Sequence, residues 1–201
     1  MSQIDLREYK GNLRKKNRAW RLALDPEKKK TSDFGIAQNV RRLYQYKSAD
    51  TVLVYVSTPI EVSTVDIIKN AWKDGKKVAV PRCIKGTRRM QFYYITSFDD
   101  LEEGSFSLME PKEILPKVLS FDGCLMLLPA FAVDRNGYRL GYGMGYYDRF
   151  LAKYDGSTAC ICYSENVCGN MHHGRFDRPV DVIVTEKFIK TVVRTKKQFN
   201  G

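Results

Sequence analysis

Three glycines alternate at Gly141, Gly143 and Gly145 in the segment YRLGYGMGYYDRFL. Because glycine has no side chain, the backbone there can approach a ligand closely and point successive N–H groups into one concavity, which suits phosphate oxygens. Arg139 precedes the glycines and Asp148 follows them, which supplies a cation for phosphate and a hard carboxylate for magnesium. The segment predicts a phosphate site, although alternating glycines also occur in plain turns.

The glycines do not match a generic nucleotide motif. A dinucleotide fingerprint needs a further glycine at position 146, where Tyr146 stands, and no GK[ST] string is present to form a Walker loop. Any nucleotide site in this segment is therefore of another kind.

The elements around the glycines favour a ligand site. The apolar run CLMLLP (124–129) predicts a buried strand, residues 134–145 a glycine-rich loop, and residues 146–154 a helix. Ligands of α/β proteins bind beyond the carboxyl ends of strands, and the N-terminus of a following helix adds partial positive charge.

The rest of the chain alternates helical and strand patterns. Helices are predicted over 4–24, from 26 or 32 to about Tyr46, and from a cap at Ser63 or Thr64 to Asp74; strands at 51–57, 77–81, 90–96, 157–164 and 181–186; a loop to about Phe121; and a basic tail. Strands 51–57 and 77–81 are expected to pair in parallel. The alternation predicts an α/β fold, a three-layer αβα domain around a mainly parallel sheet, and the length predicts one domain over 1–201.

The composition is typical of a soluble globular protein, with 43% hydrophobic and 28% charged residues. The formal net charge of +11 favours anionic partners without identifying them, and solvated charge explains it equally well. No apolar run approaches the ~18 residues of a membrane span, and no secretory signal is present. We therefore expect a cytoplasmic protein without a membrane partner.

The cysteines and histidines near the end of the chain do not match a metal-binding pattern. Cys160, Cys162, Cys168, His172 and His173 show none of the usual CxxC-based spacings. Alternation along TACICYS places Cys160 and Cys162 on one buried strand face. We predict reduced, buried thiols rather than a zinc site.

The string DRNGYRLGYGMGYYDRFL (134–151) closely resembles the signature of the 5-formyltetrahydrofolate cyclo-ligase family, also called methenyltetrahydrofolate synthetases. Further blocks resemble the family in the family's order: KGNLRKKNR (10–18), YVSTPIEVST (55–64), GKKVAVPR (75–82) and FDRPVDVIVTE (176–186). The resemblance covers nearly the whole chain, and its specific part is the glycine-tyrosine-aspartate block. Two departures are Phe176, where family members often carry His, and Met144 between two motif glycines.

The resemblance implies an ATP- and magnesium-dependent enzyme that closes a ring on 5-formyltetrahydrofolate to give 5,10-methenyltetrahydrofolate, ADP and phosphate. ATP would phosphorylate the formyl oxygen, and N10 of the folate would attack the activated carbon. Such an enzyme has to position phosphates and disperse charge rather than supply a nucleophile. The expected partners are ATP and the folate, with or without a polyglutamate chain, and the expected state is a monomer.

The resemblance also implies roles for individual residues. The ATP phosphates would be bound by Lys10, Arg14, Arg139 and the amides of Gly141, Gly143 and Gly145. Magnesium would be bound by Asp148 and Asp181. Glu61 would bind the pterin edge and Tyr147 would lie close to the formyl group, a place that Tyr146 can take instead. The catalytic set is Tyr147, Arg139 and Asp148.

Two other functions stay open from the sequence. The charge of +11 and the aromatic residues among cations in KGTRRMQFYY (85–94) suit a nucleic-acid-binding module, although no recognition motif is present. A family member that binds folate without turnover, or that acts on another N-formyl compound, would show the same residues. Without the family, Lys10 and Arg14 read as a solvated basic helix face, and Asp181 as a strand-edge or capping carboxylate.

Overall fold

The computed structural model describes residues 5–193, and for Phe106 the backbone alone. Its α-helices are α1 (Leu6–Leu22), α2 (Pro26–Arg42), α3 (Tyr44–Ser48), α4 (Val65–Lys73) and α5 (Tyr146–Leu151). Its strands are β1 (Thr51–Val54), β2 (Lys77–Cys83), β3 (Met90–Ile95), β4 (Leu101–Glu103), β5 (Met109–Pro111), β6 (Cys124–Pro129), β7 (Ala132–Asp134), β8 (Arg139–Leu140), β9 (Ser157–Ile161), β10 (Val167–Cys168), β11 (Val182–Val184) and β12 (Ile189–Thr191).

A seven-stranded sheet in the order β12–β11–β9–β6–β1–β2–β3 forms the centre of the molecule. The five inner strands run parallel, and β3 and β12 add antiparallel edges. Helices α2 and α4 pack on one face of the sheet and α5 on the other. The predicted αβα fold with a mainly parallel sheet is confirmed, as is the parallel pairing of β1 with β2.

The two central strands β1 and β6 are almost entirely apolar because both of their faces are covered. In β1, Val52 and Val54 face the core under α2 and α4, and Leu53 faces the core under α5. The same alternation in β6 sends Leu125 and Leu127 to the first core and Met126 to the second. The ends of these strands are thereby fixed, and with them the loops that follow.

The hairpin β7–β8 replaces part of the loop predicted over 134–145. The buried Asp134 carboxylate accepts hydrogen bonds from the amides of Asn136 (2.9 Å) and Tyr138 (3.0 Å), which shapes the turn. Gly137 at the turn has φ +84°, and a Cβ there would lie 2.8 Å from the carbonyl oxygen of Val180. Glycine is therefore required at this point, and the hairpin delivers Arg139 to the start of β8.

Other boundaries also differ from the predictions. The helix predicted to end near Tyr46 breaks at Leu43, whose φ of −59° and ψ of 137° separate α2 from α3. The predicted loop between β3 and β6 contains the hairpin β4–β5, and α5 ends at Leu151 rather than at residue 154. The edge strand β12 was not predicted. The start of the first predicted helix at residue 4 and the basic tail beyond residue 193 lie outside the described residues.

Within residues 5–193, none of the helices combines the length and the apolar character needed to cross a membrane. Cys160 and Cys162 are buried in the core under α5, as the alternation predicted, and none of the five cysteines forms a disulfide. The aromatic residues Phe92 and Tyr93 of the basic segment 85–94 are buried, so they offer no stacking surface to nucleic acid bases.

Candidate active site

Helix α1 lies against the glycine loop, which we define as residues 141–145. The Nε atom of Arg14 donates a 2.8 Å hydrogen bond to the carbonyl oxygen of Gly141. Gly143 has φ +101°, and a Cβ there would lie 3.0 Å from the guanidinium carbon of Arg14. Lys10, one helical turn earlier, forms an ion pair with Asp177. The structure thus brings Arg14 to the glycine loop, and Lys10 lies one turn away on the same helix face, paired with Asp177.

The backbone amides of the loop are free to receive a ligand. Among the described residues, no N–H group of positions 141–145 donates a hydrogen bond. Gly145 has φ +74° and precedes α5 without a side-chain cap. Since exposed amides bond to water when no ligand is present, the loop offers a row of donors to an anion.

Arg139 lies beside the glycine loop as a buried cation, with a side chain that is 3% exposed. Its Nη1 atom donates to Oδ1 of Asp148 at 3.0 Å, whereas Nε and Nη2 are buried without a hydrogen-bond partner in the described part of the chain. The guanidinium carbon lies 5.8 Å from the centroid of the Tyr147 ring. A buried donor without an acceptor costs free energy, so this arrangement suits an anionic ligand that supplies the acceptors.

Glu61 is the second buried charge of the site. Its Oε2 atom accepts hydrogen bonds from the amide (2.8 Å) and the hydroxyl (2.9 Å) of Thr58. Two phenols lie beside it. Burial, and then the Glu61 carboxylate, raise the pKa of Tyr142 to about 12 and raise that of Tyr147 strongly. Glu61 thus lies in a pocket whose tyrosines stay protonated at neutral pH.

Tyr142 was missed by the sequence reasoning. Its ring packs edge-on against Phe131 with centroids 4.7 Å apart, and its hydroxyl lies beside the side chains of Thr58 and Glu61. The side chain is nevertheless exposed. Its position in the sequence could have indicated a role, because a large side chain between the first two glycines projects from a loop that approaches a ligand.

The two consecutive tyrosines at the start of α5 face different places. Tyr147 lies near Glu61 and Arg139. The Tyr146 hydroxyl donates to the carbonyl oxygen of Thr87 at 3.2 Å, on the turn between β2 and β3. Of the two, Tyr147 therefore shares a pocket with Glu61.

The two carboxylates expected to bind magnesium have different partners. Asp148 pairs with Arg139 through Oδ1, and its Oδ2 accepts no hydrogen bond within the described residues. Asp181 precedes β11, and its Oδ2 accepts bonds from the amide (2.9 Å) and hydroxyl (2.6 Å) of Thr158. The described part of the chain holds no group of three or more His, Cys, Asp and Glu side chains arranged for a metal. Asp148 fits magnesium, because this ion commonly binds one or two carboxylates and takes its other ligands from phosphates and water.

The segment that follows the buried cysteines packs on α1 and the β7–β8 turn. His172 contacts Tyr9 edge-on at 5.1 Å, and His173 stacks on Tyr138 at 3.6 Å. Phe176 is exposed, with the guanidinium carbon of Arg175 4.5 Å from its ring centroid. These histidines thus serve as packing partners for aromatic rings.

Comparison with known proteins identifies one family over most of the chain. The family model described as "5-formyltetrahydrofolate cyclo-ligase family" matches residues 6–186. A mouse "5-formyltetrahydrofolate cyclo-ligase" is 27% identical over 92% of this chain and 98% of its own, and a fission yeast "Probable 5-formyltetrahydrofolate cyclo-ligase" is 29% identical over 81% and 88%. The solved structure of 5,10-methenyltetrahydrofolate synthetase from Aquifex aeolicus superposes with a TM-score of 0.81 at 29% identity, covering 95% of this chain and 99% of that one. The chain belongs to the 5-formyltetrahydrofolate cyclo-ligase family and is a ligase.

Proposed function

We propose that this protein converts 5-formyltetrahydrofolate to 5,10-methenyltetrahydrofolate with ATP and magnesium, releasing ADP and phosphate. The observation that carries the ATP dependence is the buried Arg139, whose Nε and Nη2 lack acceptors beside the free amides of the glycine loop. Family membership supports the folate chemistry. We also propose that residues 1–201 form a single cyclo-ligase domain that acts as a monomer in the cytoplasm.

The phosphates of ATP bind between α1 and the glycine loop. Arg14 contacts the loop from α1, Lys10 lies one helical turn away from Arg14, and Arg139 approaches from β8. The amides of Gly141, Gly143 and Gly145 complete the donor set. Because the Lys10 ammonium pairs with Asp177 when no ligand is bound, phosphate binding exchanges one anionic partner for another.

The folate binds with its pterin edge at Glu61. A buried carboxylate with one oxygen held by Thr58 is oriented to accept N–H groups from the pterin ring. Tyr147 lies near both Glu61 and Arg139, which supports a position for the formyl group beside Tyr147 and next to the phosphate site. Tyr142 contacts the ring from the loop side.

The reaction then proceeds by two exchanges at the formyl group. The formyl oxygen attacks the γ-phosphorus and the bond to ADP breaks. N10 then attacks the formyl carbon, the carbon–oxygen bond breaks, phosphate leaves, and N10 loses its proton. Arg139 and the loop amides stabilise the negative charge that develops on the transferred phosphoryl group.

Magnesium, when bound, neutralises charge on the phosphates. Asp148 is the residue best suited to hold it, since one carboxylate oxygen is fixed by Arg139 and the other is free within the described residues. Asp181 is the second proposed magnesium ligand. Its Oδ2 atom accepts hydrogen bonds from Thr158, so it would have to exchange these bonds or bind the ion through Oδ1.

The test is a turnover assay with purified protein, 5-formyltetrahydrofolate, ATP and magnesium. The methenyl chromophore is expected only when ATP and magnesium are both present, with one ADP formed per product. Folded protein that binds the folate but forms no chromophore would instead be a folate-binding member without turnover. Chromophore formation at the same rate without ATP would overturn the proposed role of the glycine loop.

A further inference from the structure

Arg21 is a buried cation in the last turn of α1. It is 5% exposed, and its Nη2 atom donates to the carbonyl oxygen of Ala130 and, at 3.4 Å, to that of Phe131. Its Nε atom donates to Oδ1 of Asn166 at 3.4 Å. Among the described residues it takes part in no ion pair. Since arginine is almost never fully buried without a partner charge, its position calls for a physical reason.

The guanidinium group of Arg21 lies over two aromatic rings. Its carbon atom is 5.1 Å from the centroid of the Phe131 ring and 5.6 Å from that of the Tyr163 ring. Phe131 comes shortly after β6 and Tyr163 shortly after β9, two strands that pair in parallel. The face of an aromatic ring attracts a cation, and more strongly where water is excluded. Arg21 therefore holds two rings at the carboxyl ends of neighbouring strands.

Each of these rings contacts a different part of the surroundings of Glu61. Phe131 packs edge-on against Tyr142 of the glycine loop, with centroids 4.7 Å apart. The hydroxyl of Tyr163 donates to Oδ1 of Asp33 at 2.8 Å and lies 3.3 Å from the backbone carbonyl oxygen of Glu61, a second acceptor. The two rings thus support the tyrosine beside Glu61 and the backbone of Glu61 itself.

The charge of Arg21 also acts in the surroundings of Glu61. Glu61 is 5% exposed, and it too lacks an ion pair within residues 5–193. Burial and then the Glu61 carboxylate raise the pKa of Tyr55 and of Tyr142, and the positive charge of Arg21 opposes the rise in both phenols. Because both charges reach the same two phenols through a medium of low dielectric constant, each offsets part of the cost of burying the other.

We propose that Arg21 is a positioning residue for the folate, acting through Phe131 and Tyr163. The first ring holds Tyr142 and the second holds the backbone of Glu61, so that both stay in place to receive the pterin ring. This inference rests on the proposed function, which takes Glu61 as the folate contact. The pterin ring stays bound while the formyl group reacts, so Arg21 should affect folate binding more than the chemical step.

The experiment measures dissociation constants for 5-formyltetrahydrofolate and for ATP by calorimetry, and kcat by turnover, in the wild-type protein and in Arg21→Met. The variant is expected to bind the folate about tenfold more weakly, the scale of one desolvated cation–π contact. Its Kd for ATP and its kcat should change less than about twofold, because binding lost equally in the ground and transition states leaves kcat unchanged. Arg21→Lys keeps a cation for the two rings and should weaken folate binding only about threefold.

A second variant guards against a loss of folding. Met at position 21 leaves the carbonyl oxygen of Ala130 without this donor, which lowers stability. Phe131→Leu removes one of the two rings without that effect, and it is expected to weaken folate binding about threefold to tenfold. Arg42→Met is the matched control, since Arg42 is an exposed arginine on α2 that donates to Oδ1 of Asn39 at 3.2 Å. It should change none of the three quantities.

The outcomes separate this inference from the proposed function. Unchanged folate binding in folded Arg21→Met, or in Phe131→Leu, would overturn the positioning role and leave the proposed function standing. Equal losses of folate and ATP affinity would show that Arg21 only anchors α1, which would also overturn the inference. Wild-type protein that binds the folate without turnover would overturn the proposed function alone, because the dissociation constants still test Arg21. Wild-type protein that does not bind the folate would overturn both.

Discussion

Replacing Arg139 by Met tests the phosphate site most directly. In the absence of ligand, Met removes two buried donors that lack acceptors, each costing about 1–3 kcal/mol, and it also removes the ion pair with Asp148. Asp148 has a side chain that is 26% exposed, so water can take over that carboxylate. The gain and the loss offset each other. The free energy of unfolding of the ligand-free variant is therefore expected to lie within about 2 kcal/mol of the wild-type value.

Binding of ATP should respond far more strongly. Two hydrogen bonds from a charged donor contribute about 1.5 kcal/mol each at the lower end, which corresponds to an affinity loss of about 150-fold. An ATP concentration 100 times the wild-type Kd adds about 2.7 kcal/mol of stability, or a rise in Tm of about 5–11 °C for a chain of this size. In Arg139→Met the same concentration should raise Tm by about 1 °C.

The assay is thermal unfolding with and without ATP and magnesium, supported by urea unfolding of the ligand-free proteins. Arg41→Met is the control, because it also replaces an arginine that pairs with a carboxylate. Arg41 lies on α2, on the face of the sheet opposite α5, and donates two hydrogen bonds to Asp74 (2.9 and 2.6 Å). It should keep the full ligand-induced rise in Tm. A normal ligand-induced rise in Arg139→Met would refute the reasoning. So would a loss of more than about 4 kcal/mol in its ligand-free form, which would make the pair with Asp148 structural.

Three further predictions concern the other residues of the site. Asp148→Asn should lower kcat at least 100-fold while lowering the free energy of unfolding by only about 1–2 kcal/mol, since Asn still accepts a hydrogen bond from Arg139. Comparable losses of activity and stability would show that Asp148 has a structural role. In Asp181→Asn, an unchanged dependence of the rate on magnesium would show that Asp181 does not bind the ion. Tyr147→Phe should lower kcat/KM more than Tyr146→Phe, and the reverse order would assign the formyl contact to Tyr146. The Tyr142 phenol, with a pKa raised to about 12 by burial and Glu61 against about 10 when unfolded, holds its proton more tightly in the folded state. Its contribution to stability is therefore complete below pH ~10 and is lost as pH rises toward 12, and urea unfolding at pH 9 and pH 11 should show a smaller decrease in Tyr142→Phe.

The central strands of the sheet are predictable because the local sequence alone indicates that they are buried. TVLV and CLMLLP are almost entirely apolar, as expected for strands covered on both faces. The break at Leu43 carries no such signal, since neither glycine nor proline marks it. The two residues of β8 are too few to show a period, so this hairpin was assigned to a loop.

The site divides in the same way. The glycines, Arg139 and Asp148 are close in sequence, and their spacing alone indicated a ligand. Glu61 lies near Tyr147 because β1 pairs with β6 in the sheet, and this long-range pairing cannot be read from a local sequence pattern. The burial of Arg139 was also hidden, because a cation in a polar segment gives the same sequence whether it points to water or into the protein.

The charges around the glycine loop give a physical reason for a magnesium requirement. Lys10, Arg14, Arg139 and Arg149 supply four positive charges, and Asp148, Asp177 and Glu61 offset three of them, which leaves a net charge of +1. A triphosphate brings several negative charges, so it would overcompensate this site and repel the carboxylates. A divalent cation at Asp148 would offset the excess negative charge between that carboxylate and the terminal phosphate. A site that binds anions without a metal ion would not need acidic partners for Arg139 and Lys10.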